Sequence, residues 1–182
     1  MKARYPLEAI EALPHHSVFF DANILIYIFW PTTTKNKISE SYSRILAKML
    51  RKHFSLFTNT LVLSEVINRC LRLEYDKYIQ NEAIDFMKFK FKDFRSSPEG
   101  INVQTDIFNM VKEQILCNFN IVDKCFNNKN ITELLTINEL DFNDKLIISN
   151  CIENNYLLIT NDKDFIHADI DIFTSNPVLL AS

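Results

Sequence analysis

Residues 17–30 read SVFFDANILIYIFW, a short apolar run, a polar interruption and a second apolar run. A short apolar run that ends at polar residues is typical of a buried strand. Asp21 and Asn23 follow this run directly, and the second run stops before Pro31, where a helix is expected to end. The segment therefore predicts a strand, a tight turn and a helix in immediate succession.

The same alternation continues along the rest of the chain. Strands are predicted at 55–58, 119–126, 156–160 and 170–174, helices at 38–51, 60–92, 104–116, 132–140 and 141–155, and breaks at 31–37, 97–103 and 127–130. Strands that alternate with helices indicate an α/β fold, here a three-layer α/β/α arrangement with a mainly parallel central sheet of four to five strands. The 182 residues contain no repeat and no Pro/Ser-rich linker, which favours a single domain.

The composition excludes several classes of protein. Gly100 is the one glycine, so neither the GxGxxG nor the GxxxxGK[ST] nucleotide loop can be present. No apolar run approaches the roughly 20 residues of a bilayer span, and residues 1–17 lack the apolar core of a secretory signal. The net charge of −3 argues against strong non-specific binding of nucleic acid, unless cations occupy some carboxylates.

The four cysteines are far apart and form no CxxC pair. This spacing favours reduced, mostly buried thiols in a cytoplasmic protein over a disulfide framework or a zinc site.

Four acidic residues are predicted to lie at one edge of the sheet. Asp21 and Asp162 directly follow predicted strands, Asp144 lies in the first turn of the helix that leads to strand 156–160, and Glu65 lies in the first two turns of another helix. Ligands of open parallel sheets gather at the carboxyl ends of the strands. Because carboxylates repel one another at close range, such a cluster points to a hard divalent cation, Mg²⁺ or Mn²⁺.

Each acid also has a purely structural interpretation. The alternatives are an N-cap for Asp21, a capping box with Asp141 for Asp144, an i,i+4 ion pair with Arg69 for Glu65 and a turn cap for Asp162. Independent caps need not share one edge of a sheet, so the joint arrangement favours a common site.

Four segments that carry these acids resemble, in order, the acidic segments of the PIN-domain family. They read VFFDANILIY, TNTLVLSEVINR, LDFNDKLIISNC and LLITNDKDF. The most specific parts are Asp-x-Asn after the first strand and Thr-x-Asp-x-Asp-Phe after the late strand. The resemblance implies one PIN-like domain over residues 1–182, with extra helical material around 76–116. It also implies a metal-dependent endoribonuclease, in a family that includes the toxins of toxin–antitoxin pairs.

The resemblance assigns roles to individual positions. Metal binding and catalysis fall to Asp21, Glu65, Asp144 and Asp162, with Asp164 as an auxiliary metal-binding acid and with Asn23 and Thr160 as polar supports. The implied cofactor is Mg²⁺ or Mn²⁺, and the implied mechanism is in-line attack of a metal-activated water on an RNA phosphodiester. An antitoxin is the protein partner that it implies, and a homodimer of the chain is a separate expectation. Lys145 stands where the family often has a small residue, and helix geometry turns it about a quarter turn from Asp144.

The segment 86–95 interleaves phenylalanines with cations. Its cations, Lys88, Lys90, Lys92 and Arg95, could bind single-stranded RNA together with the aromatic rings. The favoured interpretation is an amphipathic element with aromatic residues in the core and solvated lysines.

Two other functions compete with the metal-dependent ribonuclease. A PIN-like module could bind RNA or protein without useful catalysis, although the presence of all four acids argues against this. A phosphatase of the haloacid-dehalogenase type needs a second aspartate at position 23, where Asn23 stands. The histidines, at positions 15, 16, 53 and 167, lie outside the four acidic segments and are predicted to be structural or solvated.

Overall fold

The central sheet has six strands, all parallel. The structure is a computed structural model that describes residues 2–13, 17–30 and 37–182. The strands are β1 (Arg4–Pro6), β2 (Ser17–Phe20), β3 (Ser55–Thr58), β4 (Asn120–Ile121), β5 (Leu157–Ile159) and β6 (Ile172–Thr174). Their order across the sheet is β1-β6-β5-β2-β3-β4, and helices flank it, which confirms the predicted three-layer α/β/α fold class.

Eight α-helices occur in the described part of the chain. They are α1 (Ala22–Phe29), α2 (Lys37–Arg51), α3 (Thr60–Asn81), α4 (Phe91–Ser96), α5 (Pro98–Met110), α6 (Asn128–Leu134), α7 (Phe142–Asn154) and α8 (Pro177–Leu180). Short 3-10 turns cover Leu7–Ala12 and Lys163–His167, and a π-helical turn, Val111–Ile115, continues α5. None of the described helices is long and apolar enough to cross a membrane.

The central strands β2 and β5 are buried on both faces. Phe19 and Phe20 in β2, and all three residues of β5, have no exposed surface. Burial on both faces explains why these strands read as continuous apolar runs instead of alternating patterns. Each large side chain buried here stabilises the fold by about 1.5–3 kcal/mol.

The sheet has six strands, one more than the four to five that were predicted, and the additional strand is β1. This strand has only three residues, ends at Pro6 and pairs with β6 alone, so its pattern is too short to distinguish from a loop. The backbone N–H of Ala3 donates to the Asp171 carboxylate at 2.9 Å. This contact fastens the strand to the edge of the sheet. The strand predicted at 119–126 is also much shorter in the structure, where β4 has two residues.

The predicted break at 97–103 is wrong, because α5 begins there. Ser97 is the N-cap, with its hydroxyl accepting from the Gly100 N–H at 3.1 Å, and Pro98 fills the first helical position, where its missing N–H is harmless. A side chain at Gly100 would force the backbone to shift, since a Cβ there would lie 1.8 Å from the carbonyl oxygen of Phe94.

Other helix boundaries also differ from the prediction. The helix expected over 60–92 ends at Asn81, and an irregular segment at 82–90 separates α3 from α4. The break expected at 127–130 is the start of α6, because Asn127 and Asn130 form a reciprocal capping box. The loop expected at 31–37 lies outside the described residues except for Lys37.

All four cysteines are free thiols. Cys70 and Cys151 are buried, whereas Cys117 and Cys125 are exposed. The prediction of mostly buried thiols therefore holds for half of them.

Candidate functional site

Asp21 lies at the carboxyl end of β2, where it is the N-cap of α1. Its side chain is 6% exposed, and Oδ1 accepts from the Ala22 N–H at 2.7 Å. Burial raises the pKa of Asp21 to about 6, since hydrogen bonds from Thr160 and Ala22 offset only part of the desolvation and nearby acids add repulsion. The capping interpretation is thus observed, but this cap is a buried carboxylate within range of other carboxylates.

Thr160 connects Asp21 to the end of β5. Its hydroxyl donates to Asp21 Oδ2 at 2.6 Å and accepts from the Asp162 backbone N–H and from Asn23 Nδ2, both at 3.1 Å. Asn23 Nδ2 also donates to Asp21 Oδ2 at 2.5 Å, and Asn23 Oδ1 accepts from the Asn161 N–H at 3.1 Å. The ends of β2 and β5 are therefore held in one hydrogen-bonded unit that orients the Asp21 carboxylate.

Asp162 and Asp164 follow β5 on the 3-10 turn. Asp162 Oδ1 accepts from the Asp164 N–H at 3.1 Å, so Asp162 caps this turn as its structural interpretation requires. Asp162 is partly exposed and Asp164 is exposed. The charge of Asp162 reaches both Asp21 and Asp144, because it contributes to raising the pKa of each.

Glu65 lies in the second turn of α3, whose N-cap is Asn59. Its side chain is 34% exposed, and Oε1 lies 3.1 Å from Arg69 Nη1, so the predicted i,i+4 ion pair is present. The charge of Glu65 is also the first acidic contribution to the raised pKa of Asp21. The same carboxylate therefore belongs to a surface ion pair and lies close enough to Asp21 for its charge to act there.

Asp144 is a partly buried acid in the first turn of α7. The N-cap of this helix is Asp141, whose Oδ1 accepts from the Asp144 N–H at 2.8 Å. No described residue donates a hydrogen bond to the Asp144 carboxylate. Burial raises the pKa of Asp144 to about 7, and the charges of Asp141, Asp21, Asp162 and Asp164 add to the effect. Capping therefore belongs to Asp141, which leaves the Asp144 carboxylate uncompensated.

Lys145 does not neutralise its neighbour. Its ammonium donates to the carbonyl oxygen of Leu134 at 3.2 Å and to that of Thr136. No ion pair joins Lys145 to Asp144 among the described contacts, which agrees with the expected quarter turn between them. Lys145 fastens the segment between α6 and α7.

Acids from the four segments contribute to the raised pKa values of Asp21 and Asp144 at one edge of the sheet. Their carboxylates are nevertheless not closely grouped. Among the described residues, no three Asp, Glu, His or Cys side chains are placed to hold one ion. The donor chemistry nevertheless suits a hard cation, since Asp144 presents an unpaired carboxylate and Asp21 a preoriented one. Mg²⁺ is commonly bound through one or two carboxylates while it keeps several waters, so an open arrangement fits this ion.

The segment 86–95 has the amphipathic character that was favoured. Phe89, Phe91 and Phe94 pack against the core, whereas its four cations are exposed. Phe86 and Met87 are also exposed. RNA contact by Lys88, Lys90, Lys92 and Arg95 stays a prediction.

The histidines take no part in the acidic edge within the described residues. His167 Nε2 lies 2.6 Å from Glu139 Oε2 in an exposed pair, and exposed His53 adopts a positive φ in a turn. His15 and His16 lie outside the described residues.

A second polar group beside the acids was missed by the sequence analysis. Asn161 Oδ1 accepts from the Tyr42 hydroxyl at 3.1 Å and from the Ser175 hydroxyl at 3.0 Å. Tyr42 is a fully buried residue of α2. The available signal was the position of Asn161, between Thr160 and Asp162.

Comparison with known proteins identifies a family and similar solved structures. The family model described as the PIN domain matches residues 18–171. No curated protein matches the sequence. A chain in the crystal structure of VapBC2 from Rickettsia felis bound to a DNA fragment from their promoter is 20% identical, with a TM-score of 0.49. The matched region covers 87% of this chain and 98% of that chain.

Proposed function

Because this chain belongs to the PIN-domain family, we propose that it is an endoribonuclease that depends on Mg²⁺ or Mn²⁺. The observation that carries the proposal is the uncompensated Asp144 carboxylate. Its pKa is raised to about 7 partly by acids from two other segments, Asp21 and Asp162. Repulsion between like charges at one edge lowers the stability of the fold. Clusters of acids with perturbed pKa values are typical of functional sites.

We assign metal binding to Asp21, Glu65, Asp144 and Asp162, with Asp164 as an auxiliary acid. A divalent cation held by these residues would activate a water molecule and stabilise the leaving oxygen of a phosphodiester. Thr160 and Asn23 hold Asp21 Oδ2 through two donated hydrogen bonds, which favour the ionised form that a metal ligand needs.

Cleavage of a labelled single-stranded RNA tests this function. We expect cleavage with Mn²⁺ and none with EDTA. Substitution of any one proposed ligand should lower the rate by at least about tenfold, because even residues that only orient a metal ligand typically contribute that much. These substitutions are Asp21→Asn, Glu65→Gln, Asp144→Asn and Asp162→Asn. The matched control is Asp106→Asn on the exposed surface of α5. Cleavage that survives EDTA would refute metal dependence.

A catalytically weak RNA-binding module is the second candidate. It is favoured by the open arrangement of the acids and by the ion pair that engages Glu65 with Arg69. This candidate predicts RNA that is bound but intact after prolonged incubation with Mn²⁺. Binding that weakens on removal of Lys88, Lys90, Lys92 and Arg95 would assign the contact to segment 86–95.

The proposed partners beyond RNA follow from the family. We propose that the chain is the toxin of a toxin–antitoxin pair, with an antitoxin encoded beside it. Growth arrest on expression, relieved by co-expression of the neighbouring open reading frame, is the expected result. Size-exclusion chromatography with light scattering would show whether the chain forms the expected homodimer.

A further inference from the structure

A cavity of about 330 Å³ lies beside the acidic edge. Its polar lining comprises Lys37, Ser41, Asn161, Ser175 and Asn176. Ile38 and Pro177 add apolar surface. We call it the Asn161 cavity. Its volume lies at the lower end of the range for sites that bind small molecules.

The amide of Asn161 is held in one orientation. Its Oδ1 accepts two hydrogen bonds, from Tyr42 and from Ser175, and the Tyr42 hydroxyl in turn accepts from the Ser175 N–H at 2.9 Å. The backbone carbonyl of Asn161 accepts from Asn176 Nδ2 at 2.8 Å. Because Oδ1 already accepts two hydrogen bonds, Nδ2 is the polar atom of the amide that remains available, and no described residue accepts a hydrogen bond from it. A partly buried network thus leaves an amide donor of Asn161 available at the cavity.

The charge of the Asn161 cavity is opposite to that of the neighbouring edge. None of the described residues that line it is acidic, and Lys37 is its charged member. A metal ion would find no carboxylate here. An ammonium and amide donors suit phosphate oxygens and base edges, and the apolar wall suits a ribose or base.

The Asn161 cavity is joined to the acids by the chain itself. Asn161 stands between Thr160, which binds Asp21, and Asp162, and consecutive Cα atoms are about 3.8 Å apart. An RNA strand that places one phosphate at the acidic edge would therefore have its neighbouring nucleotide within reach of the cavity.

We propose that the Asn161 cavity binds the nucleotide next to the scissile phosphate of an RNA substrate, an inference that rests on the proposed ribonuclease function. The Asn161 amide donates to an oxygen of this nucleotide, and Lys37 pairs with a phosphate. The contact is present before and during the reaction, so it contributes to binding of substrate and transition state alike.

Nuclear magnetic resonance tests the cavity without requiring catalysis. Each of the four nucleoside 5′-monophosphates is titrated into the protein in EDTA, with the Asn161 side-chain amide resonance as the readout. We expect saturable shifts at Asn161 and Ser175 for at least one nucleotide. Affinity should fall about twofold to fivefold in Lys37→Ala, the scale of one exposed charge pair. Lys48→Ala, at an exposed position on the same helix, is the matched control. The absence of saturable shifts with all four nucleotides would overturn the proposal.

Kinetics with single-stranded RNA and Mn²⁺ separate this proposal from the ribonuclease function. Asn161→Asp keeps the oxygen that Tyr42 and Ser175 contact, removes the donor and adds a negative charge that repels phosphate. We expect both Asn161→Asp and Lys37→Ala to raise KM, and Lys37→Ala to leave kcat nearly unchanged. If the wild type cleaves RNA but both variants keep the wild-type KM, the cavity assignment is wrong and the ribonuclease stands. If nucleotides bind at Asn161 and no RNA is cleaved, the ribonuclease function fails and the cavity remains a nucleotide site.

Discussion

Asp144→Asn should raise the melting temperature of the metal-free protein. The pKa of Asp144 is raised from 3.8 to about 7. At pH 8 the group is ionised in both states, and its ionisation costs more free energy in the folded chain than in the unfolded chain. At 1.36 kcal/mol per pKa unit, the full shift corresponds to about 4 kcal/mol. Asp144 is partly exposed, and screening by solvent reduces this to about 1–2 kcal/mol.

One opposing effect is the helix dipole. Asp144 lies in the first turn of α7, where loss of a negative charge removes about 0.3–1 kcal/mol of stabilisation. The cap itself is unaffected, because Asp141 accepts the hydrogen bond. The net gain of about 1 kcal/mol corresponds to a rise of roughly 2–4 °C for a domain of this size.

The sign of the pH dependence follows from linkage. Between pH 4 and pH 7 the folded state binds more protons at Asp144 than the unfolded state, so this group makes stability fall as pH rises. The difference between mutant and wild type should therefore be largest at pH 8 and smaller at pH 5. Saturating Mn²⁺ should reverse the order, because only the wild type has the complete ligand set.

Thermal melts of both proteins in EDTA and in Mn²⁺, at both pH values, measure these effects. Asp106→Asn is the control for loss of an exposed charge. If the mutant melts lower in EDTA at pH 8, and Mn²⁺ shifts both proteins equally, Asp144 is a helix-terminal charge and not a metal ligand.

Three other substitutions test separate parts of the structure. Thr160→Val removes a donor that lowers the pKa of Asp21, so the acidic limb of the pH–rate profile should move to higher pH; an unmoved limb would contradict the role of Thr160. Gly100→Ala forces a Cβ against the Phe94 carbonyl and should lower the unfolding free energy by about 1–3 kcal/mol in urea titrations, whereas an unchanged midpoint would show that α4 and α5 can move apart. His167→Ala should leave RNA cleavage unchanged, and a large loss would point to a histidine-dependent mechanism.

Local patterns were sufficient to predict the fold class and the positions of the acids. Continuous apolar runs such as residues 17–20 and 157–159 identify central parallel strands, because both faces of those strands are buried. Since parallel strands end at a common edge, the residues after them, Asp21 and Asp162, could be placed together before any contact was known. The segment resemblance identified the PIN family for the same reason, as its acids are tied to these strand ends.

Tertiary structure alone decided the chemical state of the site. Asp21 and Thr160 are 139 residues apart, so neither their hydrogen bond nor the degree of burial that raises the pKa of Asp21 can be read from local sequence. The division of roles between Asp141 and Asp144 also required the folded helix, since both residues are suitable caps by composition. The Asn161 cavity depends on Tyr42 and Ser175, which packing brings together from α2 and the end of β6. Periodicity predicts which residues are buried, whereas hydrogen-bond partners and desolvation depend on contacts that exist only once the layers have packed.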